Sequence, residues 1–319
     1  MKPKVVALAF SDLHINLWTK FNDSNRRTLD HFRVLSLIKK KCLKYGCPAL
    51  FCGDLFHKPE GMSQDLMHLA FSEMQKLEGD FRIYAISGNH DIAHNNSVKN
   101  PQLSYVKLME RYNFMRCIDF HNVEVPSSGI RIYGVPYLDH NIDLNEYIKG
   151  LTLSDKTKNI LLLHTDYPGA KDTDGVEVGS CENLNTNLLQ KFDLTLIGHI
   201  HKPQRLGKKV VMVGAPLQQR RTDKACSLGY WKIYSDMSVK FCPFSFFPKF
   251  IDVDSEDKIK DDGNYYTVIS KPKEVEVTEN KVTRDLSKKK LVKEYLKAKG
   301  IADKNKKRIL LNIIKEAEE

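Results

Sequence analysis

Five short polar clusters punctuate this chain, and their residue types define a chemistry before any fold is drawn. In order they are Asp12-Leu13-His14, Gly53-Asp54, Gly88-Asn89-His90-Asp91, His164 and Gly198-His199-Ile200-His201. Gathered in one place, they supply two aspartates, an asparagine and four histidines as donors. Carboxylate, imidazole and amide donors without a thiolate suit divalent cations, Mn²⁺ foremost with Mg²⁺, Fe²⁺ or Zn²⁺ as alternatives, and disfavour a cysteine-type structural zinc site. Asp12, His14, Asp54 and His201 are the expected ligands of one cation; Asp54, Asn89, His164 and His199 are those of a second. Asp54 is shared because each oxygen of a carboxylate can take a metal while its charge offsets their mutual repulsion. Two cations roughly 3.5–4 Å apart can bind the attacking and leaving oxygens of an in-line phosphoryl displacement. The reaction implied is hydrolysis of a phosphate ester.

Each cluster directly follows an apolar run, at 5–10, 49–52, 83–86, 160–163 and 194–197. These runs are rich in Val, Ile, Leu and Phe with no polar alternation, the pattern of strands buried on both faces. If their carboxyl ends meet at one sheet edge, the clusters meet too, where open α/β sheets usually place their chemistry. Between the early strands, 28–44 aligns Leu29, Phe32, Leu35, Ile38 and Cys42 on one helical face. Ser63 can cap a second helix with the stripe Leu66, Ala70, Phe71, Met74 and Leu77. The later runs 130–135, 209–213, 229–234 and 239–244 suggest a second, mixed sheet packed on the first. Histidines outside the clusters, His31, His68, His94, His121 and His140, are expected in surface or core roles, with His94 near enough to line the cleft.

The chain has 319 residues, 41% of them hydrophobic, and a formal charge of +10; its pI is near 9.1. That balance favours an anionic macromolecular partner, which for a phosphoesterase points to nucleic acid. Lys208, Lys209, Arg220, Arg221 and Lys224 flank a turn at Val213-Gly214-Ala215-Pro216, and Arg220, Arg221 and Lys224 are candidate donors to a DNA backbone, the alternative being a solvated loop. The seven cysteines form no Cys-x-x-Cys pair and are expected to be reduced, as in an intracellular protein. The apolar run at 5–10 is too short for a signal peptide and no membrane span is legible, so a cytoplasmic location is expected.

The ordered clusters resemble the calcineurin-like metallophosphoesterase superfamily over roughly residues 4–235. Protein Ser/Thr phosphatases of that superfamily carry Asp and Arg soon after the bridging aspartate and Glu closing the Asn-His motif. Here the text is Asp54-Leu55-Phe56-His57 and Gly88-Asn89-His90-Asp91, which looks like the SbcD family, the nuclease subunit of double-strand-break repair complexes, in a compact bacterial or bacteriophage form. The resemblance implies an α/β fold, a four-layer α/β/β/α sandwich at 1–247, with a small α+β cap at 248–283 and a C-terminal helical hairpin at 284–319. It makes the seven residues above metal ligands and gives His90 and His57 catalytic roles. His90 would protonate the leaving oxygen or stabilise the transition state; His57 would sit across the scissile phosphate and orient it, unless it is a capping or solvated histidine. Asp91 is expected to fix the loop or the ring of a neighbouring histidine rather than to ligate a metal.

Residues 284–319 hold twelve Lys/Arg against six Asp/Glu, and Ile309, Leu310, Ile313, Ile314 and Ala317 fall on one helical stripe. The resemblance implies that Leu310, Ile313 and Ile314 dock on the coiled-coil base of an SbcC-type ABC ATPase, and that the nuclease is a homodimer acting on DNA. Folding back on the parent domain is the other use of that stripe. Two further readings stay open: an enzyme acting on a small phosphodiester, nucleotide or phosphoprotein, or a catalytically weak DNA-binding scaffold.

Overall fold

The chain's structure is a computed structural model that describes residues 3–58, 62–77, 79, 81–92, 103–138, 143–178 and 184–269. Strands and helices are numbered along the chain. In the first sheet β1 (Val5–Phe10), β2 (Ala49–Phe51), β3 (Ile83–Ala85) and β4 (Arg116–Cys117) run parallel. Beyond β1 the sheet continues antiparallel through β11 (Gly229–Tyr234) and β12 (Val239–Pro243). The second sheet has the order β5 (Asn122–Val125), β6 (Ile130–Val135), β7 (Lys158–His164), β8 (Leu194–Gly198), β10 (Val210–Met212) and β9 (Gln204–Arg205). Its four central strands are parallel and its two edges antiparallel.

Three apolar cores separate four layers. Alternate residues of one strand enter different cores, which explains the missing polar alternation. In β1, Val6, Ala7 and Ala9 face the core between the sheets, while Leu8 and Phe10 pack beneath the helices. In β7, Ile160 and Leu162 join the inter-sheet core, and Leu161 and Leu163 join the third. Outside the first sheet lie α1 (Arg26–Tyr45), α2 (Gln64–Gln75) and α3 (Tyr105–Arg111); outside the second lies α4 (Leu144–Gly150), which contributes Ile148. Helix α1 buries Phe32, Leu35, Ile38 and Cys42, and stops at Gly46, whose positive φ of 60° lets the chain turn out of the helix. The Ser63 side chain accepts from Leu66 N–H and starts α2.

The strands sort between the sheets differently from the expectation. Strands β11 and β12 belong to the first sheet, and the motif-bearing β7 and β8 belong to the second. An apolar run reports burial on both faces but not its neighbour; here Trp231 and Ile233 enter the inter-sheet core from β11, and the Trp231 indole donates to the Val213 carbonyl at 3.0 Å. The edge that bears the polar clusters is therefore a seam between two sheets.

Strands β13 (Phe250–Val253) and β14 (Tyr265–Val268) form a small parallel pair. Phe250 and Tyr265 pack on Phe21, and the Arg27 guanidinium lies over both rings and, at 4.0 Å, over Trp18. These strands fall within 248–283, where a capping domain is expected. They lie with everything above in one compact unit ending at Ile269; residues 270–319, including the expected hairpin with Leu310, Ile313 and Ile314, lie outside the described residues. The described cysteines are all free, and no described helix is long and apolar enough to cross a membrane.

Of the extra histidines, His31 is wholly buried, His68 and His121 are exposed, and His94 and His140 lie outside the described residues. The His31 ring meets the Arg27 carbonyl at 2.8 Å, and its other nitrogen has no hydrogen-bond partner. Burial pushes its pKa down from 6.5 to about 4. The unfolded chain therefore binds the extra proton first, and stability falls as pH drops from 6.5 toward 4. Against pH 8, the loss at pH 5 is about 2 kcal/mol. His31→Gln should lose less stability between those pH values than the parent, as read from denaturant melts in EDTA; an equal loss would show that His31 does not carry it.

Candidate metal centre

The polar clusters occupy backbone that L-residues seldom adopt. Asp12, His14, Asp54 and His199 all have positive φ, at 54°, 47°, 61° and 99°. Such conformations cost on the order of 1–3 kcal/mol each and persist only where surroundings impose them. Here a ladder continues past the strands: Asp12 N–H donates to the Gly53 carbonyl and His14 N–H to that of Asp54. The buried Asp91 carboxylate accepts from the N–H groups of Asp54, Leu55, Phe56 and Gly88, tying the second cluster to the third as expected. Asp119 does the same for Ser87, accepting from its N–H and hydroxyl. A Cβ at Gly88 would collide with the Asp54 carboxylate, so the cluster requires glycine there.

All seven expected ligand positions converge. Ligand atoms of Asp12, His14 and His201 lie within 4.8 Å of one another, as do those of Asp54, His164 and His199. Asp54 joins the groups: its Oδ2 stands 3.4 Å from His14 Nε2 and 3.4 Å from His164 Nε2. Asn89 Oδ1 is 3.0 Å from both His164 Nε2 and His199 Nδ1. Asp12 anchors the last cluster by accepting from His199 N–H at 3.0 Å.

The donors fit cations by their mutual repulsion. His164 Nδ1 lies 2.7 Å from the Cys52 carbonyl, so its hydrogen is committed there and Nε2 points a lone pair at the oxygens of Asn89 and Asp54. Acceptors facing acceptors at that range need a positive charge among them. Burial would depress His164, but Asp54 outweighs it and pushes the pKa up to about 9. Burial would likewise raise Asp54, yet the imidazoles of His164 and His14 hold it well below the ordinary carboxylate range. A proton meets this demand in the metal-free protein, and a divalent cation would displace it.

His90 and His57 stand beside the first group, and a ligand atom of each lies within 4.8 Å of one on His14. His90 N–H donates to Asp54 Oδ1 at 2.9 Å and its Nδ1 meets the His57 carbonyl at 2.6 Å. The two rings stack at 5.5 Å with 10° between planes. That corrects the expectation that His57 faces His90 across the phosphate: rings so close leave no room for a substrate between them. Trp18 backs His57 at 5.1 Å.

The basic trio is placed differently. Arg221 Nε pairs with Asp252 of β13 at 2.6 Å and Lys224 pairs with the same carboxylate, so two of the expected DNA donors already hold an acid of the small sheet. Arg220 has the most exposed side chain of the three, at 61%. Three site residues escaped the sequence reading: Asp223, 3.5 Å from His201; Asp166, 3.5 Å from His199; and Gln219, whose amide donates to the Asp12 carbonyl. The only visible signal was an acid amid cations at Arg220-Arg221-Thr222-Asp223-Lys224.

A seam between two sheets that brings aspartates, histidines and an asparagine into two adjoining groups defines a metal-dependent phosphoesterase. The chain matches the calcineurin-like phosphoesterase family over residues 6–203, well over half its length, and belongs to that family. Membership implies metal-dependent phosphoester hydrolysis, and the Asp/His clusters fit a dinuclear site of divalent cations.

Proposed function

We propose that the chain is a DNA nuclease that hydrolyses phosphodiester bonds, the nuclease subunit of an SbcCD-type repair or recombination complex. The observation that carries a diester-cleaving reading is the pair of stacked imidazoles, His57 and His90, set against the first ligand group and reached through Asp54-Leu55-Phe56-His57. Asp12, His14, Asp54 and His201 would hold one cation and Asp54, Asn89, His164 and His199 the other, Mn²⁺ being the first to test. When bound, the cations supply Lewis acidity to the scissile phosphate and acidify a water. The chain's own groups do the rest. Asp54 keeps the two ligand groups in register, and His90, its Nδ1–H donated to the His57 carbonyl, would serve the leaving sugar oxygen from Nε2 when the ring is the imidazolium. His57 and Trp18 brace that ring. The charge of +10 supports a polyanionic substrate.

End-labelled duplex DNA, bis-p-nitrophenyl phosphate and p-nitrophenyl phosphate, each with Mn²⁺, discriminate the readings. DNA and the diester should be cleaved, and the monoester poorly. Hydrolysis of the small esters with DNA untouched would favour an enzyme of small phosphoesters instead. For the tail, Leu310→Asp with Ile314→Asp should abolish co-purification with an SbcC-type ATPase and leave the melting temperature unchanged. Buried large side chains are worth about 1.5–3 kcal/mol each, so a fall in melting temperature with normal co-purification would instead place the stripe on the parent domain.

A further inference from the structure

Asp223 is the most completely buried acid near the site that no motif announced. It sits in the 3-10 turn Arg221–Ala225 with no solvent exposure. Its Oδ2 accepts from the N–H groups of Gln219 at 2.9 Å and Arg220 at 3.2 Å, and lies 3.5 Å from His201 Nδ1. Oδ1 has no hydrogen bond, only the Arg220 guanidinium at 3.5 Å. His201 Nδ1 in turn is buried and has no hydrogen-bond partner, so the Asp223 carboxylate is the ion-pair neighbour on that side of the ring. The opposite nitrogen, Nε2, faces His14 Nε2 at 3.2 Å, inside the ligand group.

The turn bearing this acid is held from both sides. Gln219, just before it, donates to the Asp12 carbonyl and accepts from Arg27 at 2.5 Å. Arg221 and Lys224, on either side of Asp223 in the turn, are pinned by Asp252 of the small sheet. Among the described residues, the carboxylate near His14 and His164 is that of Asp54, itself an expected ligand, so Asp223 differs in standing outside the ligand set. His164 is oriented by a backbone carbonyl, and the acid near His199, Asp166, is 43% exposed, so water competes for it.

We propose that Asp223 is a positioning residue for the first cation. Its carboxylate holds the His201 proton on Nδ1, so Nε2 presents a lone pair to the metal and gains basicity from the charge behind it. Histidines that ligate metals commonly donate their other N–H to such a group, and losing it typically costs 10–100-fold in metal affinity. The Asp252 ion pairs make the small sheet the support of that arrangement. The inference rests on the two-cation reading of the site but not on the substrate.

Asp223→Asn tests it, because an amide oxygen can keep accepting from Gln219 and Arg220 while the charge is lost. In calorimetric titration of EDTA-stripped protein with Mn²⁺, the parent should take up two ions; if it does not, the two-cation reading itself fails. Asp223→Asn should bind one ion roughly 10–100-fold more weakly and the other as the parent does. In a His201→Gln background, adding Asp223→Asn should cost nothing further, an outcome a purely structural role would not give. Parent-like binding of both ions by Asp223→Asn, or an undiminished cost in the His201→Gln background, would overturn the proposal. Should Asp223→Asn not fold, imidazole ¹⁵N spectra of the Zn²⁺-loaded parent decide: His201 is expected with its proton on Nδ1, and a proton on Nε2 would overturn it.

Discussion

Asp54→Asn should reduce hydrolysis of every phosphoester to background. One oxygen of this carboxylate stands 3.4 Å from a histidine of each ligand group, and the other holds the His90 backbone N–H. Its loss therefore uncouples the two groups and the loop carrying His90 together. The effect should exceed the roughly 10²–10³-fold cost of removing a single transition-state hydrogen-bond donor. Asparagine is the better test than alanine because φ at this position is 61°, where Asn is tolerated and Ala adds strain. Folding should survive, since the Asp91 bonds to the backbone of this turn remain. Bis-p-nitrophenyl phosphate hydrolysis by Asp54→Asn, stripped of metal and resupplied with Mn²⁺, measures the effect; substantial activity would refute the bridging role.

His90→Asn should slow turnover by roughly 10²–10⁴, the range for losing one positioned acid–base group, while metal content stays near that of the parent. Rate and metal content should separate because the bond from residue 90 to Asp54 is made by the backbone and survives the substitution. His90, His57 and His14 offer nitrogen atoms within 4.8 Å of one another, so the opposite outcome has a clear meaning. If His90→Asn loses one metal stoichiometrically, His90 is a ligand and the division of roles proposed here is wrong.

The candidate ligand residues were legible because each stands where a doubly buried strand ends, and burial on both faces leaves a plain mark in sequence. Alternate residues of β1 and β7 enter different apolar cores, so neither run shows polar alternation and both read as strands. Neighbours were less legible. Nothing in residues 229–234 states that they pair antiparallel with β1, and nothing in 160–164 states that this strand leaves the sheet holding Asp12 and Asp54; both facts are long-range pairings. The same limit hid the use of the basic trio. Arg221 and Lys224 read as free cations until Asp252, 31 and 28 residues away, is placed beside them. His57 was singled out by motif but expected on the far side from His90, since its ring direction depends on Trp18 and His90, which reach it from other loops.

The dinuclear site is tested most directly by loading the EDTA-stripped protein with Mn²⁺, counting bound ions and recording the electron paramagnetic resonance spectrum of parent and Asp54→Asn. The parent should bind two Mn²⁺ per chain with the exchange-coupled spectrum of ions sharing a ligand, and Asp54→Asn should lose that coupling. A single bound Mn²⁺ in the parent, or two ions whose spectrum is that of isolated Mn²⁺ and does not change in Asp54→Asn, would contradict it.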